Sequence, residues 1–255
     1  MKMEILNNKY AIGTVIGAAL LSVIRKRKGG ANIYKDNANG LEFWGEGEIK
    51  LRNEFISDLV SRLKSEIKPI SVMEIDAPIL TPNKSISKSY KKKNLVKGSN
   101  DLTLRPQSAP GTYAMAEKIL QSGRKLPLAI WQHGKVFSKT TSKKVEESYE
   151  LSFQIIYAED HPKISSNNII KAVKDEIQDY IGRCRVSDTH SSYHSKWIKS
   201  IERSSNGMSV ATISERHDFT PKLTAKHYKD GIVVIEVKIN TDKIIYNHQK
   251  WKNKR

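Results

Sequence analysis

The strand-like stretches of this chain are mostly consecutive, with few helices between them, and that ordering constrains the fold most. KLPLAIWQHGKVF at 125–137 is followed directly by ELSFQIIYAE at 150–159, and VATISE at 210–215 by GIVVIEVKI at 231–239. A doubly wound parallel sheet would place a helical crossover after each strand. The expectation is therefore α+β: an antiparallel sheet flanked by helices. No internal repeat and no clear linker interrupts the sequence, so residues 1–255 are expected to form a single core domain.

Helical periodicity supplies the flanking layer. In 48–67, Ile49, Phe55, Ile56, Leu59, Val60, Leu63 and Ile67 recur at helical spacing, and Lys68-Pro69 ends the run. Residues 112–122 and 168–181 also read as helices, and 160–208 reads as a helical insertion. SVMEIDAPIL at 71–80 reads as a strand closed by Thr81-Pro82. The Lys- and Ser-rich stretch 83–99 has few core formers and reads as an exposed basic loop. The apolar run 11–24, followed by RKRK at 25–28, is shorter than the roughly 20 residues of a membrane span. It reads as a buried helix, with a membrane anchor as the outside alternative.

Lys and Arg number 44 against 27 Asp and Glu, a formal net charge of +17. Such a surplus attracts polyanions and speeds their encounter. Nucleic acid is the expected partner, through Lys91, Lys92, Lys93, Lys97, Lys143 and Lys144. A Lys-rich solvated surface is the plainer alternative. The one cysteine, Cys184, excludes a disulfide framework and a thiolate zinc site, and a reduced, cytoplasmic setting is the default reading. His190, Tyr193 and His194 follow Cys184, but their spacing fits no standard metal pattern, and a surface loop is the expected reading. In the tail 251–255, Trp251 among basic residues reads as a frayed terminus, with stacking on nucleic acid as the alternative.

Several segments, in order, resemble the catalytic core of class II aminoacyl-tRNA synthetases, and the glycyl branch in particular. Gly40–Gly47 runs into the helix from Glu48 as the segment before the motif 1 helix does. Met73–Leu80, with Pro78, is similar to motif 1. Leu104-Arg-Pro-Gln-Ser-Ala-Pro-Gly111 resembles the "LRPETAQG" element. Leu126–Phe137 resembles the strand leading into motif 2, and Tyr149–Gln154 the strand that follows it. Ile213–Phe219 resembles the "DRxxYDL" region, with His227 beyond it, and Val234–Tyr246 resembles motif 3. The resemblance implies a homodimer through the motif 1 region. It also implies a ligand pocket containing Arg105, Gln107, Gln132, Lys139, Glu150, Gln154, Arg216 and Glu236.

The same resemblance exposes departures. Where the family's "FRxE" has its arginine and glutamate, this chain has Ser138 and Thr140, around Lys139. Lys243 stands at the motif 3 arginine, Asn240 and Asp242 at positions usually glycine, and Gln107 at the glutamate of "RPET". Adenylation concentrates negative charge on the phosphates of ATP, and arginine suits the clamp because its planar fork is bidentate and permanently charged. Losing one such contact costs roughly 10²–10³ in rate. The implied function is thus a glycyl-tRNA synthetase-like protein that binds tRNA or other RNA and is deficient in ATP-dependent adenylation. Two alternatives remain open: an active minimal ligase, using ATP and Mg, and a non-catalytic accessory subunit of a nucleic-acid polymerase. Arg105, Gln132, Glu150, Gln154, Arg216 and Glu236 would persist either as a buried polar network or as a pocket that still holds a small ligand.

Overall fold

The computed structural model describes residues 33–36, 41–85, 94–98, 100–139, 144–158, 164–189, 195–204, 207–216 and 231–252. These belong to one compact unit, Asn32–Lys254. Among the expectations above, the apolar run at 11–24, Lys91, Lys92, Lys93, Thr140, Lys143, His190, Tyr193, His194, residues 217–219, His227 and the tail beyond Lys252 lie outside the described residues.

The first described elements are a short antiparallel strand pair, β1 (Ile33–Asp36) and β2 (Leu41–Trp44). Helix α1 (Glu46–Glu66) follows, then β3 (Val72–Glu74), β4 (Leu80–Pro82) and β5 (Leu102–Leu104). Helix α2 (Ala109–Gln121) leads into the long strands β6 (Leu128–Lys139) and β7 (Val145–Ala158). Helix α3 (Ser166–Ile181) precedes β8 (Cys184–Asp188), β9 (Ser195–Arg203), β10 (Met208–Arg216) and β11 (Ile232–Asn240), and α4 (Thr241–Lys252) closes the series.

Seven strands form one sheet in the order β3-β6-β7-β11-β10-β9-β8. Every neighbouring pair is antiparallel except β3 with β6. The fold class is α+β, as the consecutive strands require.

Period-2 alternation sorts the sheet into two faces. Leu151, Phe153, Ile155 and Tyr157 of β7, with Val233, Ile235, Val237 and Ile239 of β11, point to one face. There they meet Phe55, Ile56, Leu59, Val60 and Leu63 of α1 and Ile169, Val173, Ile177 and Ile181 of α3. Phe55, Leu59, Leu63, Phe153 and Ile155 have no exposed surface. Burying a side chain of this size is worth about 1.5–3 kcal/mol, so this layer carries most of the stability. The other face is apolar only at one end. There Ala116 and Leu120 of α2 cover Leu128, Ile130, Ile156, Ile232 and Val234.

Three expectations need correction. The insertion 160–208 is not helical throughout. After α3, the segments 184–188 and 195–203 are strands β8 and β9 of the main sheet. Ser and charged residues mask their alternation, yet Cys184 and Ile201 point inward and are buried. The expected strand 71–80 is two short ones, because the chain leaves the sheet at 75–79, where Pro78 has no N–H to pair. The basic stretch 83–99 is not simply exposed loop. Residues 83–85 form a turn of 3₁₀ helix. At the far end, Gly98 N donates to Leu102 O and Leu104 N to Val96 O, each at 2.9 Å, and Val96 is buried. Lys97, which bridges to Thr103, remains exposed.

Candidate functional site

Beyond the reach of α2, the second face of the sheet turns from apolar to polar. Register builds the change row by row. Ile130 lies beside Gln154, Gln154 beside Glu236 and Glu236 beside Ser214. In the next row, Gln132, Ser152, Lys238 and Thr212 are neighbours. Gly134, Glu150 and Asn240 form the row after that. Over this floor hangs the segment between β5 and α2, which contributes Arg105, Gln107 and Ser108.

Arg105 is the anchor of that segment and is only 4% exposed. Its Nη1 donates to Ala77 O at 2.9 Å and to Gln132 Oε1 at 3.3 Å, and its Nε donates to Lys135 O at 2.7 Å. The guanidinium lies against β6 at Gly134, where a Cβ would sit 2.1 Å from Nη2. A side chain there would have to push Arg105 off its partners. Burial pulls the Arg105 pKa down, while the charges of Glu150 and Asp76 oppose the shift. Gln132, fully buried, turns its amide toward α2, donating to Ser108 O at 2.8 Å and also to Thr112 Oγ1. The Ser108 N–H at the start of α2 donates to Glu150 Oε1 at 2.8 Å. Burial pushes the Glu150 carboxyl up from the ordinary range, against the pull of Lys238 and the Ser108 hydrogen bonds.

A second cluster centres on Glu236, which is 3% exposed. Lys238 Nζ lies 3.4 Å from Glu236 Oε1 and donates to Gln107 Oε1 at 2.6 Å. Arg216 Nη1 reaches Glu236 Oε2 at 3.4 Å, and Gln154 Nε2 donates to Ser152 Oγ at 2.6 Å and to Glu236 Oε1 at 3.4 Å. Two buried acceptors, Gln154 Oε1 and Ser108 Oγ, have no protein partner. A buried polar atom of this kind is normally satisfied by a water or a ligand group.

The structure thus brings Arg105, Gln107, Gln132, Glu150, Gln154, Arg216 and Glu236 onto one face. It leaves others apart. Ser138 sits exposed near the end of β6, opposite Glu146, and Lys139 is the last residue of that strand. Lys144 is exposed on the return side of the same hairpin. Lys243, in the first turn of α4, donates its Nζ to Ser209 O at 3.0 Å. Asn240 Oδ1 accepts from Lys243 N at 3.0 Å, the geometry of a helix N-cap. Asp242 Oδ2 accepts from Tyr149 N at 2.7 Å and so ties α4 to β7. Asn240 and Asp242 thus each hold a backbone N–H that a glycine could not hold.

Sequence reasoning missed Lys238, Ser108 and Ser152. Lys238 had a readable signal, since Glu236 and Lys238 are the two charged residues of an otherwise apolar strand and are spaced to share a face. Cys184 is buried, and burial lifts its thiol to about 11, well away from a reactive thiolate. Trp251 is half-buried and packs toward His248, with ring centroids 6.3 Å apart. Among the described residues, no group of three or more His, Cys, Asp and Glu side chains is placed to hold a metal, and no helix is long and apolar enough to cross a membrane.

The sequence matches no model of a known protein family and no curated protein.

Proposed function

We propose that this chain is a glycyl-tRNA synthetase-like protein that binds tRNA or another RNA and does not activate an amino acid with ATP. The observation that carries the reading is the fate of the two positions where the resemblance places phosphate-gripping arginines. One is the Ser138 hydroxyl, exposed near the end of β6. The other is the Lys243 ammonium, bonded to the Ser209 carbonyl. Neither offers the bidentate fork that a triphosphate transition state needs.

The net charge of +17 supports the RNA side of the proposal. The β6–β7 hairpin supports it further. Its pairing continues to Lys139↔Val145, whereas β11 stops at Glu150, so the hairpin projects past its neighbour carrying Lys139 and Lys144. Lys97 adds an exposed cation on the segment before β5. A homodimer through the motif 1-like segment is supported by an apolar groove of about 260 Å³ between residues 75–82 and α2. Ile79, Leu80 and Met115 are 46%, 45% and 39% exposed around it.

Titrating tRNA across a salt series tests the proposal. Affinity falls with salt with a log–log slope of about 0.7–0.9 per neutralised phosphate. Undetectable binding at low salt removes the reading. Preference for primer-template DNA and co-purification with a polymerase would favour an accessory subunit instead. Glycine-dependent pyrophosphate exchange, abolished by Arg105→Ala, would make the protein an active ligase. Ser138→Arg with Lys243→Arg is expected to raise ATP affinity.

A further inference from the structure

The polar face has the chemistry of a cation subsite: the buried Glu236 carboxylate, the nearby Glu150 carboxyl, and the amide oxygens of Gln107 and Gln154. An ammonium is already there. Lys238 Nζ donates to Gln107 Oε1 at 2.6 Å and lies 3.4 Å from Glu236 Oε1. The Lys238 side chain is 23% exposed while that of Glu236 is 3% exposed, so the lysine stands over the carboxylate on the solvent side. Lys238 sits between Ser152 on β7 and Thr212 on β10, near the centre of the sheet, where a shorter side chain would uncover Oε1 of Glu236 while Arg216 still holds Oε2.

The geometry points to Lys238 as a built-in ligand: its own ammonium fills the subsite that would otherwise take the amino group of a small free amine, so the pocket is plugged from within the chain. This deepens the proposed function, on which it rests, by giving a second reason for the absence of amino-acid activation. The clamp for ATP and the seat for an amine are closed by separate residues. A charged group held by a carboxylate and an amide satisfies both, and an external ammonium could enter only by displacing it. Deleting the stem leaves a polar gap over the carboxylate, open to water and to a small ammonium that matches the deleted group.

The test uses the full chain. In Lys238→Ser, millimolar methylammonium or glycine is expected to raise the thermal unfolding temperature, because a ligand bound only to the folded state stabilises it by mass action. The wild type and Lys238→Met, which keeps the stem and loses the charge, are expected to show no shift. A wild-type shift equal to that of Lys238→Ser, or no shift in a folded Lys238→Ser, overturns the plug. If the serine variant does not fold, acylation of the native wild type by an amine-reactive reagent decides. Lys238 is expected to label roughly tenfold or more slowly than the exposed Lys50, in keeping with the strength of hydrogen bonds to charged groups, and labelling as fast as Lys50 overturns the proposal. tRNA titration of the wild type is read separately. Loss of RNA binding with a protected Lys238 sinks the functional proposal and keeps the plug. RNA binding with an unprotected Lys238 does the reverse.

Discussion

The two faces of the seven-stranded sheet are made by the same strands and differ in what holds them. On the face under α1 and α3, Phe153, Ile155 and Ile235 are fully buried among aliphatic and aromatic neighbours. One residue along each strand, Gln154 and Glu236 face the other way and sit in a web of hydrogen bonds and ion pairs. The first face is stabilised by removing apolar area from water, which is large and non-directional. The second has given up hydration for directed partners, which contribute little net stability and are costly to break. One face can therefore vary in detail while keeping its volume, and the other can specialise but must balance each donor with an acceptor.

The largest expected effect breaks the comparison from the apolar side. Phe153→Ala leaves a cavity in the closed layer and is expected to cost about 3–5 kcal/mol in denaturant unfolding. On the polar side, Arg105→Ala orphans the Gln132 amide oxygen and the carbonyls of Ala77 and Lys135. It is expected to cost about 2–3 kcal/mol. A loss well below 1 kcal/mol for either change would mean that the faces are not held as described.

A third prediction depends on pH. The Glu150 carboxyl is raised from its ordinary value, with burial as the first cause. A raised carboxyl favours the folded state most below its unfolded value, and that contribution is lost as pH climbs through the folded one. Glu150→Gln keeps an oxygen for the Ser108 N–H and removes the titration. The variant is expected to gain stability relative to the wild type as pH rises above the ordinary carboxyl range, and thermal melts across that rise check the direction. A relative loss would show that the carboxylate is the favoured form in the fold.

The smallest effect concerns Asn240. Asn240→Ala removes the cap of α4 and is expected to cost about 1 kcal/mol in thermal unfolding, whereas Asn240→Gly costs only a few tenths. Equal losses for the two would mean that the side chain is not acting as a cap.

Much of this architecture is legible in the chain. The apolar spacing of 48–67 gives α1 and its inward face, and the uninterrupted strands 125–137 and 150–159 give the central antiparallel pair. The expected Arg105, Gln132, Glu150, Gln154, Arg216 and Glu236 do converge on one face. What stayed hidden depends on pairing across sequence distance. β8 and β9 carry polar residues at one end of the sheet, where alternation is weak, and only the register of β9 with β10 and of β8 with β9 identifies them. The place of Lys238 in an apolar strand marks it, but its partner Gln107, 131 residues away, is given only by the fold.

By itself, the sequence determined the fold class, the helix faces and the excess of positive charge, because those follow from local periodicity and composition. The partners of individual polar groups were decided only by the tertiary structure. It directed the Lys243 ammonium to the Ser209 carbonyl, and it set Lys238 over Glu236. A side chain's charge is written in its residue type, but where that charge is neutralised depends on which strands lie side by side, and chain spacing does not encode that.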